Sequence, residues 1–478
     1  MTSAPKIEMI TLGCAKNRVD TEEVLGVLHE SGCRISTHGP ADVVVINTCG
    51  FIEAAKQESI DAILRAIERK KQGHVRKIVV AGCLAQRYAS ELAQELADVD
   101  AFVGTGRTEA VAEAVSDVLN GKHGLIRVLA QPRHTWSASL RRVQTTPPWT
   151  AYLKISEGCN HPCTFCAIPA IRGPHVSKPL DRVVAEAEHL ARCGVKELVL
   201  VGQDTTQYGY DLAGRALLPD LLAALSQVAG IEWIRLMYCY PSRVQSAIID
   251  ALATTPKVCA YVDMPLQHAA DDVLRGMRRP MNAQGYLRIL HDLRRALPDV
   301  AIRSTFIVGF PGETPEHFHQ LEEFLRTAQF DHVGVFEYSR EEGTPASSLP
   351  GQVPARVRHA RWERVMRAQQ AVSLEQNRKW IGRSLRVLVE EIVEGVDGRI
   401  GVGRSFRDAP EVDGRVLIRG THAQPGEFVW ARITDAQPYD LTALELSNTD
   451  PAGTGSAEVL PTSADAIAEE HRVYCNQT

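Results

Sequence analysis

Apolar and polar positions fall into three regimes along the chain. Over residues 1–130 short apolar runs alternate with amphipathic stretches: 7–12 then 21–30, 43–46 then 54–69, 78–81 then 87–96, and 101–103 then 109–119. This is strand followed by helix, repeated, and it predicts a parallel sheet wound with helices. Over residues 149–375 the same alternation returns with longer helices. Strands are expected at 151–155, 197–201, 233–237, 260–264, 302–308 and 332–336, with helices at 181–192, 219–228, 243–253, 284–296 and 315–327. Six such β/α units predict a partial (β/α)6 barrel whose site lies at the carboxyl face of its strands. A helix over 355–380 then gives way to period-two stretches at 384–393, 399–403, 412–418, 427–433 and 440–446, a small antiparallel β-barrel of the OB-like kind. The fold class is therefore α/β and multidomain. Its parts are 1–130, a proline-rich linker over 131–148, a central domain over 149–375, a barrel over 376–447, and a polar tail over 448–478 expected to be disordered. In the linker, Arg141 and Arg142 could meet an anionic partner, but they read first as a solvated pair.

Composition changes the picture in three ways. The net charge of −5 argues against broad nucleic-acid binding. From Lys379 to Leu446 there are nine basic and eleven acidic residues, a balance that suits a basic protein partner better than an RNA backbone. No apolar run reaches the length of a membrane span and the start of the chain has no signal-peptide character, so a cytoplasmic protein is expected. Eleven cysteines in a reducing compartment point to metal or redox chemistry rather than to disulfides.

The densest chemistry is Cys159-Asn160-His161-Pro162-Cys163-Thr164-Phe165-Cys166, a C-x3-C-x2-C spacing. Three close thiolates can hold three corners of a cubane iron–sulfur cluster and leave one iron open; a zinc site completed by a distant ligand is the other reading. Cys14, Cys49 and Cys83 form a second set, each just past the carboxyl end of one of the first three strands and each beside a glycine. Open parallel sheets build ligand sites at that edge. The glycines are expected to let the backbone approach an inorganic group, and three buried small side chains are the bland alternative. Cys33, Cys193, Cys239 and Cys259 read as structural, and Cys475 as an inert tail residue.

The Cys159 spacing resembles the signature of the radical S-adenosylmethionine (SAM) superfamily. Together with the N-terminal triad it resembles the methylthiotransferases. The segments 12–20 (LGCAKNRVD), 47–52 (NTCGFI) and 202–206 (GQDTT) are similar to the RimO branch, with Ala15 standing where that branch often has proline. The resemblance implies a radical SAM barrel, a C-terminal TRAM domain, and two 4Fe-4S clusters, one on Cys159, Cys163 and Cys166 and one on Cys14, Cys49 and Cys83. It implies SAM as cosubstrate, contacted by Phe165, Gln203, Gly309 and Glu313, and leaves His268 at the site without a role. It further implies methylthiolation of the β-carbon of an aspartate in a small-subunit ribosomal protein, with a reductant such as flavodoxin or ferredoxin and an external sulfur source. Two other functions remain open from the residues: a methylthiotransferase acting on tRNA adenosine, and an iron–sulfur carrier or redox sensor.

Overall fold

The computed structural model describes residues 4–36, 39–132, 134, 136, 142–395 and 398–446. The N-terminal sheet has six parallel strands: β1 (Lys6–Thr11), β2 (Arg34–Ser36), β3 (Ala41–Thr48), β4 (Val75–Gly82), β5 (Ala101–Val103) and β6 (Leu125–Arg127), in the order β2-β1-β3-β4-β5-β6. Alternate residues of the central strands feed two cores. Val44, Ile46, Ile78 and Val80 pack with α2 (Glu53–Lys71) and α3 (Cys83–Glu95), whereas Val43, Val45, Val79 and Ala81 pack with α1 (Ala15–Glu30) and α4 (Thr108–Leu119). Strands β2 and β6 were not predicted. Each is three residues long at or near a sheet edge and contains no buried residue, so it leaves no apolar run. Helix α1 starts at Ala15 rather than at residue 21, because its first turns bury the polar Asn17 and Thr21 instead of an apolar stripe.

The central domain carries β7 (Thr150–Lys154), a short antiparallel pair β8 (Ser156–Glu157) and β9 (Val176–Ser177), then β10 (Glu197–Val201), β11 (Trp233–Leu236), β12 (Val258–Asp263), β13 (Ala301–Val308) and β14 (His332–Glu337). The six main strands are all parallel and lie in chain order, β14-β13-β12-β11-β10-β7, the open half-barrel that the alternation implied. One sheet face buries Leu153, Leu198, Leu200, Ile234 and Leu236 in the largest core of the molecule. A short helix, α5 (Ile168–Arg172), follows the cysteine loop and had no counterpart in the pattern.

After the long helix Ala355–Arg378, β15 (Ser384–Gly395), β16 (Gly398–Ser405), β17 (Val416–Arg419), β18 (Phe428–Ala436) and β19 (Leu441–Glu445) close into a barrel. It is not wholly antiparallel, since β17 and β19 pair in parallel. An odd number of strands cannot alternate direction all the way round a closed ring, so one such pair is unavoidable. Leu388 and Ala409 of the barrel pack with Tyr152, Val199, Trp233 and Tyr261 on the second face of the half-barrel sheet. Buried Arg404 crosses the same seam to Glu197 at 2.6 Å, and Arg235 meets that carboxylate at 2.9 Å.

The connector between the first two domains is tightly held where it is described. Arg142 is buried and bonded to Glu186 at 2.9 Å and to the Tyr152 carbonyl at 2.8 Å, with Glu22 at 3.2 Å. This corrects the solvated reading of Arg142; Arg141 lies outside the described residues, as do Cys475 and the tail. Among the described residues no helix is long and apolar enough to cross a membrane.

Candidate active site between two thiol triads

The loop that follows β8 presents Cys159, Cys163 and Cys166 together. Gly158 turns the chain at φ +76°, where a Cβ would fall 2.1 Å from the Pro174 carbonyl oxygen. Thr164 pins the loop centre, its N–H and hydroxyl donating to the Met277 and Gly276 carbonyls at 3.2 and 2.8 Å. Each sulfur faces one N–H donor: His161 N to Cys159 at 3.5 Å, Arg279 Nη1 to Cys163 at 3.8 Å, and Ile168 N to Cys166 at 3.5 Å. Burial pushes the Cys159 and Cys166 thiols up to about 12, so a bound cation has to draw out their protons. Arg279 is fixed by the Pro265 carbonyl at 2.7 Å and lies 4.2 Å over the Tyr240 ring. Tyr240 stacks on His161 at 3.5 Å, and His161 Nε2 meets buried Asp204 at 2.6 Å.

The second triad is assembled by topology. Cys14 is the residue before α1, Cys49 follows β3, and Cys83 is the first residue of α3, so two of the three sulfurs lie at helix N-termini. There the backbone N–H groups favour negative charge. A Cβ on Gly13 would lie 2.7 Å from Cys49 Cβ, one on Gly50 2.8 Å from the Leu84 backbone, and one on Gly82 2.4 Å from Asn47 Oδ1. The glycines therefore allow the close approach of protein to protein that gathers the thiols. Burial and the neighbouring Cys83 raise the Cys49 thiol to about 12, and burial raises that of Cys83.

The triads adjoin. Cys83 packs with Ala167 and Ile171, and Ala167 is the residue after Cys166. Arg172, at the end of α5, reaches back to Cys83 Sγ at 3.3 Å and to Asn17, with Asp20 at 2.7 Å and Glu157 at 3.4 Å. Lys154 bridges Asp20 and Glu157 from the other side. Burial alone would raise these two carboxyls, but Lys154 and Arg172 outweigh it and hold both below the carboxylate range. A second seam closes the opposite flank, with Glu341 of the central domain bonded to Arg87 at 2.8 Å and to Lys56 at 3.3 Å. None of these partners was read from the sequence. Asn17 and Asp20 sit at helical spacing after Cys14, which was the available signal.

The residues expected to touch SAM separate into two kinds. Gln203 donates to Glu157 while its Oε1 is buried without a partner, an acceptor left over for an ammonium group. Phe165 is half-buried beside Phe310, Tyr338 and Met277. Glu313, by contrast, is fully committed to the fold. Its carboxylate accepts from the N–H groups of Gly309 at 2.6 Å and Phe310 at 3.3 Å and pairs with Arg361 at 2.6 Å. Gly309, at φ +75°, would drive a Cβ to 2.2 Å from Arg358 Cγ, so the long helix is what it accommodates. His268 is buried, its Nδ1 accepting from Ala270 N at 3.0 Å and its Nε2 3.5 Å from Glu313.

Both triads fit iron–sulfur clusters on donor chemistry: three thiols each, N–H or guanidinium donors at Cys159, Cys163, Cys166 and Cys83, and glycine turns that bring the thiols together. No three of His, Cys, Asp and Glu among the described residues converge on one ion, and the thiolates of a cubane each take a different iron. Three family models match, described as Uncharacterized protein family UPF0004 over residues 6–104, Radical SAM superfamily over 153–325 and TRAM domain over 381–444. A ribosomal protein uS12 methylthiotransferase RimO from Symbiobacterium thermophilum is 48% identical over 91% of this chain and 90% of its own length. One from Pelobacter propionicus is 46% identical over 92% and 98%. Among solved structures, the radical SAM methyltransferase TsrM from Kitasatospora setae aligns at a TM-score of 0.54 and 15% identity, over 72% of this chain and 77% of that one, a likeness of fold. The sequence identity over nearly the full length, with all three domains in order, means that this chain belongs to the RimO family of radical SAM methylthiotransferases.

Proposed function

We propose that this protein attaches a methylthio group to the β-carbon of an aspartate in ribosomal protein uS12, the substrate named for its relatives. Cys159, Cys163 and Cys166 hold one 4Fe-4S cluster and Cys14, Cys49 and Cys83 a second. When bound, the first supplies the electron that cleaves SAM reductively and the second supplies the sulfur-bearing group. Gln203, with its spare acceptor, orients the amino acid portion of SAM, and Phe165 flanks the adenine side. Arg279 and Arg172 stabilise the thiolates of Cys163 and Cys83, and the Asp20–Arg172–Glu157–Lys154 network keeps the two triads in register. The seams at Arg172 and Glu341 close two flanks of the region where the triads adjoin, an arrangement suited to keeping water from a reactive carbon. The electron comes from a small reductant such as flavodoxin or ferredoxin.

The packing of Cys83 on Ala167 carries this reading, because hydrogen removal and sulfur delivery must reach one substrate carbon. The test is anaerobic reconstitution of the full chain and of a Cys14→Ala, Cys49→Ala, Cys83→Ala variant, each incubated with SAM, reductant and uS12. The variant is expected to hold about half the iron of the parent, three thiolates being one cluster's protein ligands, and to give no methylthio product by mass spectrometry. Equal iron in the two chains would overturn the two-cluster assignment. Methylthio groups on tRNA rather than on uS12 would overturn the substrate.

A further inference from the structure

Among the described residues, two cations around the triads lack a carboxylate partner, Lys16 and Arg279, and Arg279 is already engaged by the Pro265 carbonyl and the Cys163 sulfur. Lys16 is the second residue of α1, two positions after Cys14, and is partly accessible. Lys154 and Arg172 are paired with Asp20 and Glu157, and Arg18 lies 3.1 Å from Glu411. Among the described residues no carboxylate stands within ion-pair distance of the Lys16 ammonium. Its Nζ rests 3.5 Å from the centroid of the Tyr238 ring, which belongs to the other domain.

Tyr238 is itself held in an unusual way. It lies just past the carboxyl end of β11 at φ +61°, a left-handed conformation that a bulky side chain rarely adopts. Its N–H donates to Asp263 Oδ2 at 3.0 Å, its carbonyl accepts from Thr205 N at 3.2 Å, and Arg303 anchors Asp263 at 3.0 Å. Backbone strain that the surroundings over-determine in this way clusters where a site needs a side chain aimed. The result is an ammonium on an aromatic face, between the carboxyl edges of both sheets, with N–H donors that the ring does not use.

Resting on the functional reading above, we propose that Lys16 receives the side-chain carboxylate of the substrate aspartate against the Tyr238 ring. The β-carbon is bonded directly to the carboxylate carbon, so a grip on the carboxylate also fixes the hydrogen to be removed. Lys16 is then the residue that distinguishes aspartate from asparagine, which offers the same shape without the charge.

The experiment compares binding of uS12 and of uS12 carrying asparagine at its modified position, measured by fluorescence anisotropy on the cluster-loaded enzyme with SAM. Iron per chain and EPR serve as loading controls. The parent is expected to prefer the aspartate form by about tenfold to a hundredfold, the worth of one charge-assisted hydrogen bond. Lys16→Met is expected to bind both forms alike, and Lys16→Arg to recover part of the preference. If K16M does not load iron, Lys16→Gln is read in the same way. A loaded variant without the ammonium that still prefers aspartate overturns the assignment. A parent enzyme that makes no methylthio product on uS12 is a different failure, one that removes the functional reading and the Lys16 assignment with it.

Discussion

The two thiol triads gather their sulfurs by opposite routes. Cys159, Cys163 and Cys166 lie within one loop, whose shape is set by Gly158 and by a few bonds to its immediate supports. Cys14, Cys49 and Cys83 are far apart in sequence and meet only because three parallel strands end at one edge. Their closest charge support, Arg172, comes from another domain, whereas Arg279 serves its own loop from within the central domain. A local triad depends on local chain, and a topological one depends on the whole sheet and on how the domains dock.

That contrast predicts unequal costs. Arg172→Met leaves Asp20 and Glu157 with Lys154 as their one cation, and breaking a buried ionic network of this kind costs about 3–5 kcal/mol. Arg279→Met removes the hydrogen bond to Pro265, contacts with the Tyr286 and Tyr240 side chains and a weak approach to Cys163, about 1–3 kcal/mol. Urea unfolding of the two apo variants should rank them in that order. Iron retained after reconstitution should fall in R172M toward the content of the chain that lacks Cys14, Cys49 and Cys83. Equal losses would mean that domain docking does not hold the N-terminal triad together.

The same contrast governs what could be read before the structure was in hand. Periodicity gave the alternation of strand and helix and the chain-order half-barrel, because buried parallel strands are apolar runs whatever their partners. It missed β2 and β6, which bury nothing, and the start of α1, where Asn17 and Thr21 fill buried positions. It took Arg142 for a solvated residue because nothing local marks an arginine whose carboxylates, Glu22 and Glu186, arrive from two other helices. Arg172 and Arg279 were invisible for the same reason. Spacing reports on neighbours in the chain, while ionic partners are chosen by the fold.

A buried ion pair that touches neither triad provides the control for the first prediction. Burial would raise the Glu197 carboxyl, but Arg404 and Arg235 outweigh it and hold it at about 2, against an ordinary 4.5. A depressed carboxyl stabilises the fold above its ordinary value and loses that contribution as the pH falls from 4.5 toward 2. The shift corresponds to on the order of 3 kcal/mol. In acid titrations of the apo protein followed by circular dichroism, Glu197→Gln should flatten the parent's loss of stability across that window. Because Arg404 belongs to the barrel, the loss should appear in the barrel seam and be additive with R172M. An acid profile unchanged by E197Q would show that the carboxylate is not what ties the barrel to the half-barrel.

The smallest effect tests how far the topological triad is already pre-organised. Ala15 is the first residue of α1, the position at which proline is best tolerated, since that N–H has no intrahelical acceptor. Cys14 before it is extended, at φ −112° and ψ 170°, close to the conformation a following proline imposes. No hydrogen bond from the Ala15 N–H is found among the described residues. Ala15→Pro should therefore stabilise the apo protein by about 0.4–1 kcal/mol through the unfolded chain alone, without altering iron content at the N-terminal triad. Ala15 is also partly buried against the seam that includes Val19 and Tyr152, so a proline ring that crowded this contact would reverse the sign. A lower melting temperature with reduced iron would mean that Cys14 is positioned by packing across the domain boundary, and a higher one with iron unchanged that the turn before α1 places it unaided.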